Sequence, residues 1–333
     1  MITAQAHSAQ PRWQQLWRDA VRDPRDLLHL LDLPQMASML SDAAAEQFPL
    51  RVPQGFVARM RRGDPHDPLL RQVLPVTDEE RIVPGFGLDA VGDAAARGAT
   101  GVIHKYAGRA LLVATGSCAV HCRYCFRRHF PYAEETAATA RWAEALEYLQ
   151  ADASVEEALL SGGDPFSLST TRLAEFTDAL ARIDHVRTLR IHTRLPVVLP
   201  ERIDAELVDW LRRLRQHAVI VIHANHANEF DATVDAALQR LRAAGATLLN
   251  QSVLLRGVND EAGALVALSR RMFAAGVLPY YLHQLDRVAG TAHFAVDDDR
   301  ARDLVAAMRA CLPGYLVPRL VRETAGEPSK TPL

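Results

Sequence analysis

Little in this chain points outward. Only four cysteines occur in 333 residues, and neither sign of charge dominates: 38 Lys and Arg stand against 40 Asp and Glu, for a net charge of −2. That balance removes any global field drawing the chain to nucleic acid or to an anionic lipid surface. No uninterrupted apolar run is long enough to span a bilayer, and residues 1–13 are a polar lead-in without the apolar core of a secretory leader. These absences predict a cytoplasmic protein with no membrane partner and no direct nucleic-acid partner. So few cysteines also speak against an extracellular disulfide framework, which spreads its cysteines to staple distant segments. With 49% hydrophobic and 23% charged residues, the chain has the composition of a globular protein, enough for one large α/β barrel or two domains.

The first hundred residues read as helical and then irregular. A helix pair is expected over residues 13–31, broken near Pro24, and Ser41 is placed to cap a short helix reaching Gln47. Proline and glycine then recur from 51 to 101, which suits a wrapping segment. From about residue 109 the pattern changes. Apolar, β-branched runs at 110–115, 157–160, 188–192, 218–223, 247–255 and 278–282 alternate with amphipathic stretches at 140–150, 170–183, 205–215, 231–243 and 261–275. Leu207, Trp210, Leu211 and Leu214 show the helical spacing most clearly. Strands separated by helices imply parallel pairing with right-handed crossovers. Six such units are too few for a closed eight-fold barrel, so an open, partial TIM-like (β/α)6 barrel is expected. The predicted organisation is a helical and irregular N-terminal region (1–100), the partial barrel (101–300) and a C-terminal segment (301–333).

Barrels carry their chemistry at the C-terminal ends of strands. Unusual polar residues fall there: three cysteines after the first run, Ser161, Gly162, Gly163 and Asp164 after the second, and His192 to Arg194 after the third. His223, Gln251 and Gln284 lie in or just past the next three runs. Cys118, Cys122 and Cys125 form a CxxxCxxC arrangement. A [4Fe–4S] cluster normally takes four thiolates, so three would leave one iron open to a ligand. The amino and carboxylate groups of S-adenosylmethionine can chelate that iron and set its sulfonium beside an electron donor. Structural zinc would need a fourth ligand in paired spacing, and no second CxxC or HxxxH follows nearby. The two glycines let backbone come close to a ligand such as the methionine amino group, or simply turn a strand into a helix. Arg123 and Arg128, beside the cysteines, read as solvated side chains or a basic loop. Cys311 reads as a small buried hydrophobe. Lys330 reads, on its surroundings alone, as a solvated tail residue.

The motifs together are familiar. HKYAGRALL at 104–112, CAVHCRYCFRRHFPY at 118–132, SGGDPF at 161–166, IHTRLPVV at 191–198, NQSVLLRGVND at 250–260, PYYLHQLD at 279–286 and GEPSK at 326–330 resemble the lysine 2,3-aminomutase family of radical S-adenosylmethionine enzymes. The likeness spans 105–330, with DPLLRQVLP at 67–75 extending it upstream. It is strongest to the branch that serves the β-lysylation of elongation factor P. The resemblance implies a radical SAM barrel with a C-terminal tail folded over its mouth and an isomerase converting L-α-lysine to (R)-β-lysine. It also implies pyridoxal 5′-phosphate (PLP) on Lys330, in addition to the [4Fe–4S] cluster and S-adenosylmethionine. Arg109, with Lys105 and Tyr106 nearby, matches the region contacting PLP. Ser161, Gly162, Gly163, Asp164, His223 and Gln251 match cofactor contacts, and Arg127 matches the arginine that holds the substrate carboxylate. Asp286 matches an aspartate that pairs with the lysine ε-ammonium. A second family aspartate, seven residues before the PLP lysine, is Glu323 here. Implied partners are lysine, an electron donor, and a functional link to elongation factor P and its lysyl ligase; a homo-oligomer remains open. Two other readings stand beside this one: an aminomutase for arginine or glutamate, and a non-catalytic iron–sulfur module of translation.

Overall fold

The computed structural model describes residues 12–132 and 142–333. The polar lead-in through residue 11 and the expected helix start at residue 140 lie outside the described residues. One sheet organises the chain. Its strands are β1 (Arg97–Ala99), β2 (Val102–Tyr106), β3 (Arg109–Thr115), β4 (Glu157–Gly162), β5 (Thr188–Thr193), β6 (His217–Ile222), β7 (Thr247–Val253), β8 (Leu278–His283), β9 (Arg319–Arg322) and β10 (Thr331–Pro332), paired in that order. From β3 to β9 every pairing is parallel; β1, β2 and β10 add antiparallel edges. All six predicted runs are strands β3 to β8, and the alternation implies the observed parallel pairing.

Helices fill the crossovers. Ahead of the sheet lie α1 (Arg12–Arg18), α2 (Pro24–Leu30) and α3 (Asp42–Gln47). Between strands lie α4 (Trp142–Ala151), α5 (Thr170–Leu180), α6 (Ala205–Arg212), α7 (Ala232–Ala243), α8 (Ala262–Ala274) and α9 (Asp298–Cys311). Their starts follow from capping chemistry. The Ser41 hydroxyl accepts from Ala44 N, and the carboxylates of Asp204 and Asp231 accept from the first turns of α6 and α7, meeting donors that the helix cannot satisfy itself. In α6, Leu207, Trp210 and Leu211 are buried, and the Trp210 indole N–H donates to Thr177 Oγ1 (3.1 Å), tying α6 to α5. The expected helix pair at 13–31 is α1 and α2, with Pro24 at the first position of α2, where its missing N–H costs nothing.

Two features exceed the expectation. Helix α9 keeps the same apolar spacing, with Ala301, Leu304, Val305 and Met308 buried, but opens on a run of acids that masks the period. The tail adds sheet to the barrel: β9 continues the parallel order beside β8, and β10 returns onto β9 with Thr331 opposite Arg322. Cys311 corrects its sequence reading, for it ends α9 on the exposed side, beyond the buried stripe that finishes at Met308. Among the described residues no helix is long and apolar enough to cross a membrane.

Candidate active site

The loop after β3 carries the three cysteines, none of them in a disulfide. Its backbone is clamped by the segment after β4. Gly163 N donates to Thr115 O (2.6 Å) and Asp164 N to Ser117 O (2.8 Å). A Cβ on Gly163 would fall 2.5 Å from the Ser117 carbonyl oxygen, and Gly162 sits at φ +104°, closed to most side chains. The close approach allowed by these glycines is therefore to the cysteine loop itself. The Asp164 carboxylate accepts from Thr193 Oγ1 and from the backbone of Phe166, Arg194 and Leu195, fixing the ends of β4 and β5 together.

Arg123 and Arg128 are buried, which overturns the expectation of a solvated basic loop. Arg123 donates to both Glu79 oxygens (2.8 and 2.6 Å), and Arg128 donates to Glu79 (2.7 Å) and to the Gly290 carbonyl (3.2 Å). These arginines anchor the cysteine loop to the N-terminal region. Behind Cys122 lies a second buried network of Gln72, Tyr124, Arg194, Asn225 and Glu229. Arg194 is its hub, with Nη1 2.6 Å from Cys122 Sγ and 2.7 Å from the Tyr124 hydroxyl, and Nη2 2.8 Å from Gln72 Oε1 and 3.0 Å from the Glu229 carboxylate. Sequence reading singled out neither Glu229 nor Gln72; an acid and an amide in stretches of mixed composition carry no local signal.

The sulfur chemistry fits a cluster. Burial raises the Cys118 thiol well above its ordinary value, and the charges of Asp164, Cys125 and Cys122 raise it further. Burial, and then Cys122, push Cys125 up to about 11. Three thiolates gathered here call for a compensating cation, which the iron of a cluster supplies. Among the described residues no trio of His, Cys, Asp and Glu closes on a single ion. A cluster in this loop would take Cys118, Cys122 and Cys125 as its thiolates.

A second group of polar residues gathers where the tail meets the first hairpin. Glu323, just past β9, accepts from Lys105 Nζ (3.3 Å) and from the Tyr106 hydroxyl (2.8 Å), and pairs with Lys330 Nζ. Burial alone would raise the Glu323 carboxyl, but Lys330, Lys105 and Tyr106 bring it down to about 2. Lys105 also meets Asp93 (2.7 Å), whose other oxygen accepts from Arg127 Nε (2.8 Å); Arg127 Nη1 in turn donates to Ser161 Oγ (3.1 Å). The Arg109 guanidinium lies 4.6 Å over the Tyr106 ring, and Lys330 Nζ 5.9 Å over Tyr281. Lys330 is thus drawn inward by a carboxylate and an aromatic face, not left as a solvated tail residue.

Histidines line the way between the two groups. His223 stacks on Tyr124 beside the cysteines (5.8 Å between rings), and burial lowers it to about 3. Burial also keeps His283 and His192 neutral, helped by Lys330 in both and by His223 or Arg127 respectively. The Nε2 atoms of His192 and His223 are buried without a partner. Such orphans in a site suit a polar ligand. Burial pushes the Asp286 carboxyl up to about 7, against the pull of Lys330. Gln251 is half-buried in β7, on the opposite face from Asn250. The structure brings together Lys105, Tyr106, Arg109, Arg127, Glu323 and Lys330, and sets Asp286 within reach of the Lys330 charge.

The thiol-bearing loop at the mouth of the parallel sheet, clamped by the next strand's glycines, lies within residues 112–268, which match the model of the Radical SAM superfamily. The cofactors of that superfamily are a [4Fe–4S] cluster and S-adenosylmethionine. The chain is 49% identical over 322 residues to an L-lysine 2,3-aminomutase of Escherichia coli (strain K12), covering 96% of this chain and 94% of that one. A second L-lysine 2,3-aminomutase, from Haemophilus influenzae, is 46% identical over 319 residues, with 96% and 94% covered. One from Clostridium subterminale is 35% identical over 272 residues, covering 81% of this chain and 65% of that one. The chain belongs to the L-lysine 2,3-aminomutase family and is an isomerase. Among solved structures, a radical SAM methyltransferase from Sphaerobacter thermophilus matches with a TM-score of 0.44 at 19% identity, covering 66% of this chain and 68% of that one.

Proposed function

We propose that the chain moves the α-amino group of L-lysine to the β-carbon, with PLP held on Lys330. The observation that carries this reading is the return of β10 onto β9, which draws Lys330 into the group containing Arg109, Lys105 and Tyr106. An amine that must form a Schiff base needs a partly desolvated pocket, and Lys330 has one. Arg109 and Lys105 supply cations for a phosphate, and Arg127 a planar guanidinium for a substrate carboxylate. Asp286 and Glu323 put two acids within reach of a long cationic side chain, which favours lysine over glutamate.

When bound, the cluster with S-adenosylmethionine would supply radical chemistry at Cys118, Cys122 and Cys125, and PLP on Lys330 would supply the conjugated group that lets an amino group migrate. The protein's part is placement. Arg127, held by Asp93 and Ser161, orients the carboxylate, and Asp286 receives the ε-ammonium. The neutral histidines and the folded-back tail keep water from the reacting carbons. In the same proposal the polypeptide falls into an N-terminal region (1–100), a barrel (101–300) and a tail segment (301–333), and the β-lysine product serves modification of elongation factor P. The test is anaerobic incubation with lysine, arginine and glutamate in parallel, with S-adenosylmethionine, PLP and a reductant. β-Lysine from lysine alone is the expected outcome; β-arginine or β-glutamate as the main product overturns the substrate assignment.

A further inference from the structure

We propose that Arg194 sets the reduction potential of the iron–sulfur cluster by donating a hydrogen bond to the sulfur of Cys122. The inference rests on the reading that Cys118, Cys122 and Cys125 carry that cluster.

Arg194 is fixed from several directions. Its backbone N–H donates to the Asp164 carboxylate (2.6 Å), while its Nη1 reaches Cys122 Sγ (2.6 Å) and Tyr124 (2.7 Å). Its Nη2 reaches Gln72 (2.8 Å) and Glu229 (3.0 Å), and the side chain is 7% exposed. Glu229 leans on this arginine through one oxygen only, Oε2, which accepts from Nη2. The backbone N–H groups of Asn225 (2.7 Å) and His226 (3.0 Å) and the Gln72 amide (3.3 Å) already donate to its Oε1. Two members of the network reach out to the sulfur, the Arg194 guanidinium and the Tyr124 hydroxyl, and the guanidinium is the one that carries charge. A neutral thiol accepts weakly, whereas a thiolate receiving an arginine N–H makes a strong, charge-assisted bond. Spending a buried N–H on sulfur is worthwhile where that sulfur is an anion.

The consequence has a sign. One electron from a low-potential reductant converts the oxidised cluster to a form one unit more negative, and no bond is made or broken. A positive charge donating to a ligand sulfur stabilises the reduced form and raises the potential. The Glu229 carboxylate, on the far side of the guanidinium, opposes it. Removing Arg194 and removing the charge of Glu229 must therefore move the potential in opposite directions. Arg194 acts through Cys122 and is a positioning residue.

The experiment is a dithionite titration of the anaerobically reconstituted full chain, followed by electron paramagnetic resonance without S-adenosylmethionine. Arg194→Met is expected to shift the one-electron equilibrium at least tenfold toward the oxidised cluster, about 59 mV more negative. Arg194→Lys should recover part of that shift, and Glu229→Gln should move the potential positive, all at undiminished iron content. A wild-type potential in Arg194→Met, or shifts of one sign in Arg194→Met and Glu229→Gln, overturns the proposal. So does loss of the cluster from both variants, which would make the network a scaffold only. If the wild-type chain itself shows no reducible cluster, it is the reading of the three cysteines that fails.

Discussion

Glu323 and Lys330 are seven residues apart and joined as an ion pair, because β10 turns back along β9. The same carboxylate receives Lys105 and Tyr106 from the opposite end of the strand order, so the tail and the first hairpin share one acid. Lys330→Ala should abolish any borohydride-trapped PLP adduct and all aminomutase turnover while iron content stays at the wild-type level. Turnover retained by that variant would place the PLP on another lysine.

Glu323 also ties stability to acidity. Its carboxyl lies at about 2 in the fold against 4.5 ordinarily, so its contribution is present above the ordinary value and fades as pH falls from 4.5 toward 2. The shift corresponds to at most about 3 kcal/mol. In the protein without PLP, Glu323→Gln should lower the urea midpoint at pH 7, and the gap from wild type should shrink by pH 3. A gap of constant size would refute the linkage.

Asp286 behaves in the opposite sense. With its carboxyl pushed up to about 7, it is charged only on the alkaline side of neutrality. A lysine ε-ammonium needs the charged form, so KM for lysine should fall about tenfold from pH 6 to pH 8 as that form becomes dominant. Asp286→Asn should raise KM and flatten this dependence without touching iron content, as steady-state kinetics at both pH values will show.

Glu79 stands between two guanidiniums that are fully out of water. Glu79→Ala leaves both charges without their carboxylate and should cost about 3–5 kcal/mol. Chemical denaturation reads this directly; a loss below 1 kcal/mol would mean that water reaches the arginines.

At Gly163 there is no room for a methyl group, because the Ser117 carbonyl lies where a Cβ would stand. Gly163→Ala should push the cysteine loop off β4 and lower cluster occupancy on reconstitution. Gly87→Ala, whose Cβ would meet nothing within 4 Å and whose backbone, like that of Gly163, lies outside the left-handed region, serves as the comparison.

The regular core was legible because its period is carried by side chains: the runs that became β3, β4 and β6 are mostly apolar, those of β5 and β7 alternate, and the caps at Ser41 and Asp231 are local chemistry. The three cysteines were legible as a spacing. What escaped depends on contacts between distant segments. Nothing near Glu79 or Glu229 announces that each will be buried against arginines more than thirty positions away. The short strands β9 and β10 hold too few residues to show alternation, and Lys330 becomes distinctive only once Glu323 stands beside it. Cys311 misled because one cysteine in an amphipathic stretch does not say which side of the helix it takes.

The return of β10 has a temporal meaning as well. During synthesis, residues 118–125 emerge and can fold against β4 long before residues 323–330 exist. A nascent chain thus owns its sulfur ligands while the wall that Lys330 and Glu323 complete is still missing. Until then the cysteine loop faces an open vestibule, which narrows when the hairpin of β9 and β10 docks against β2.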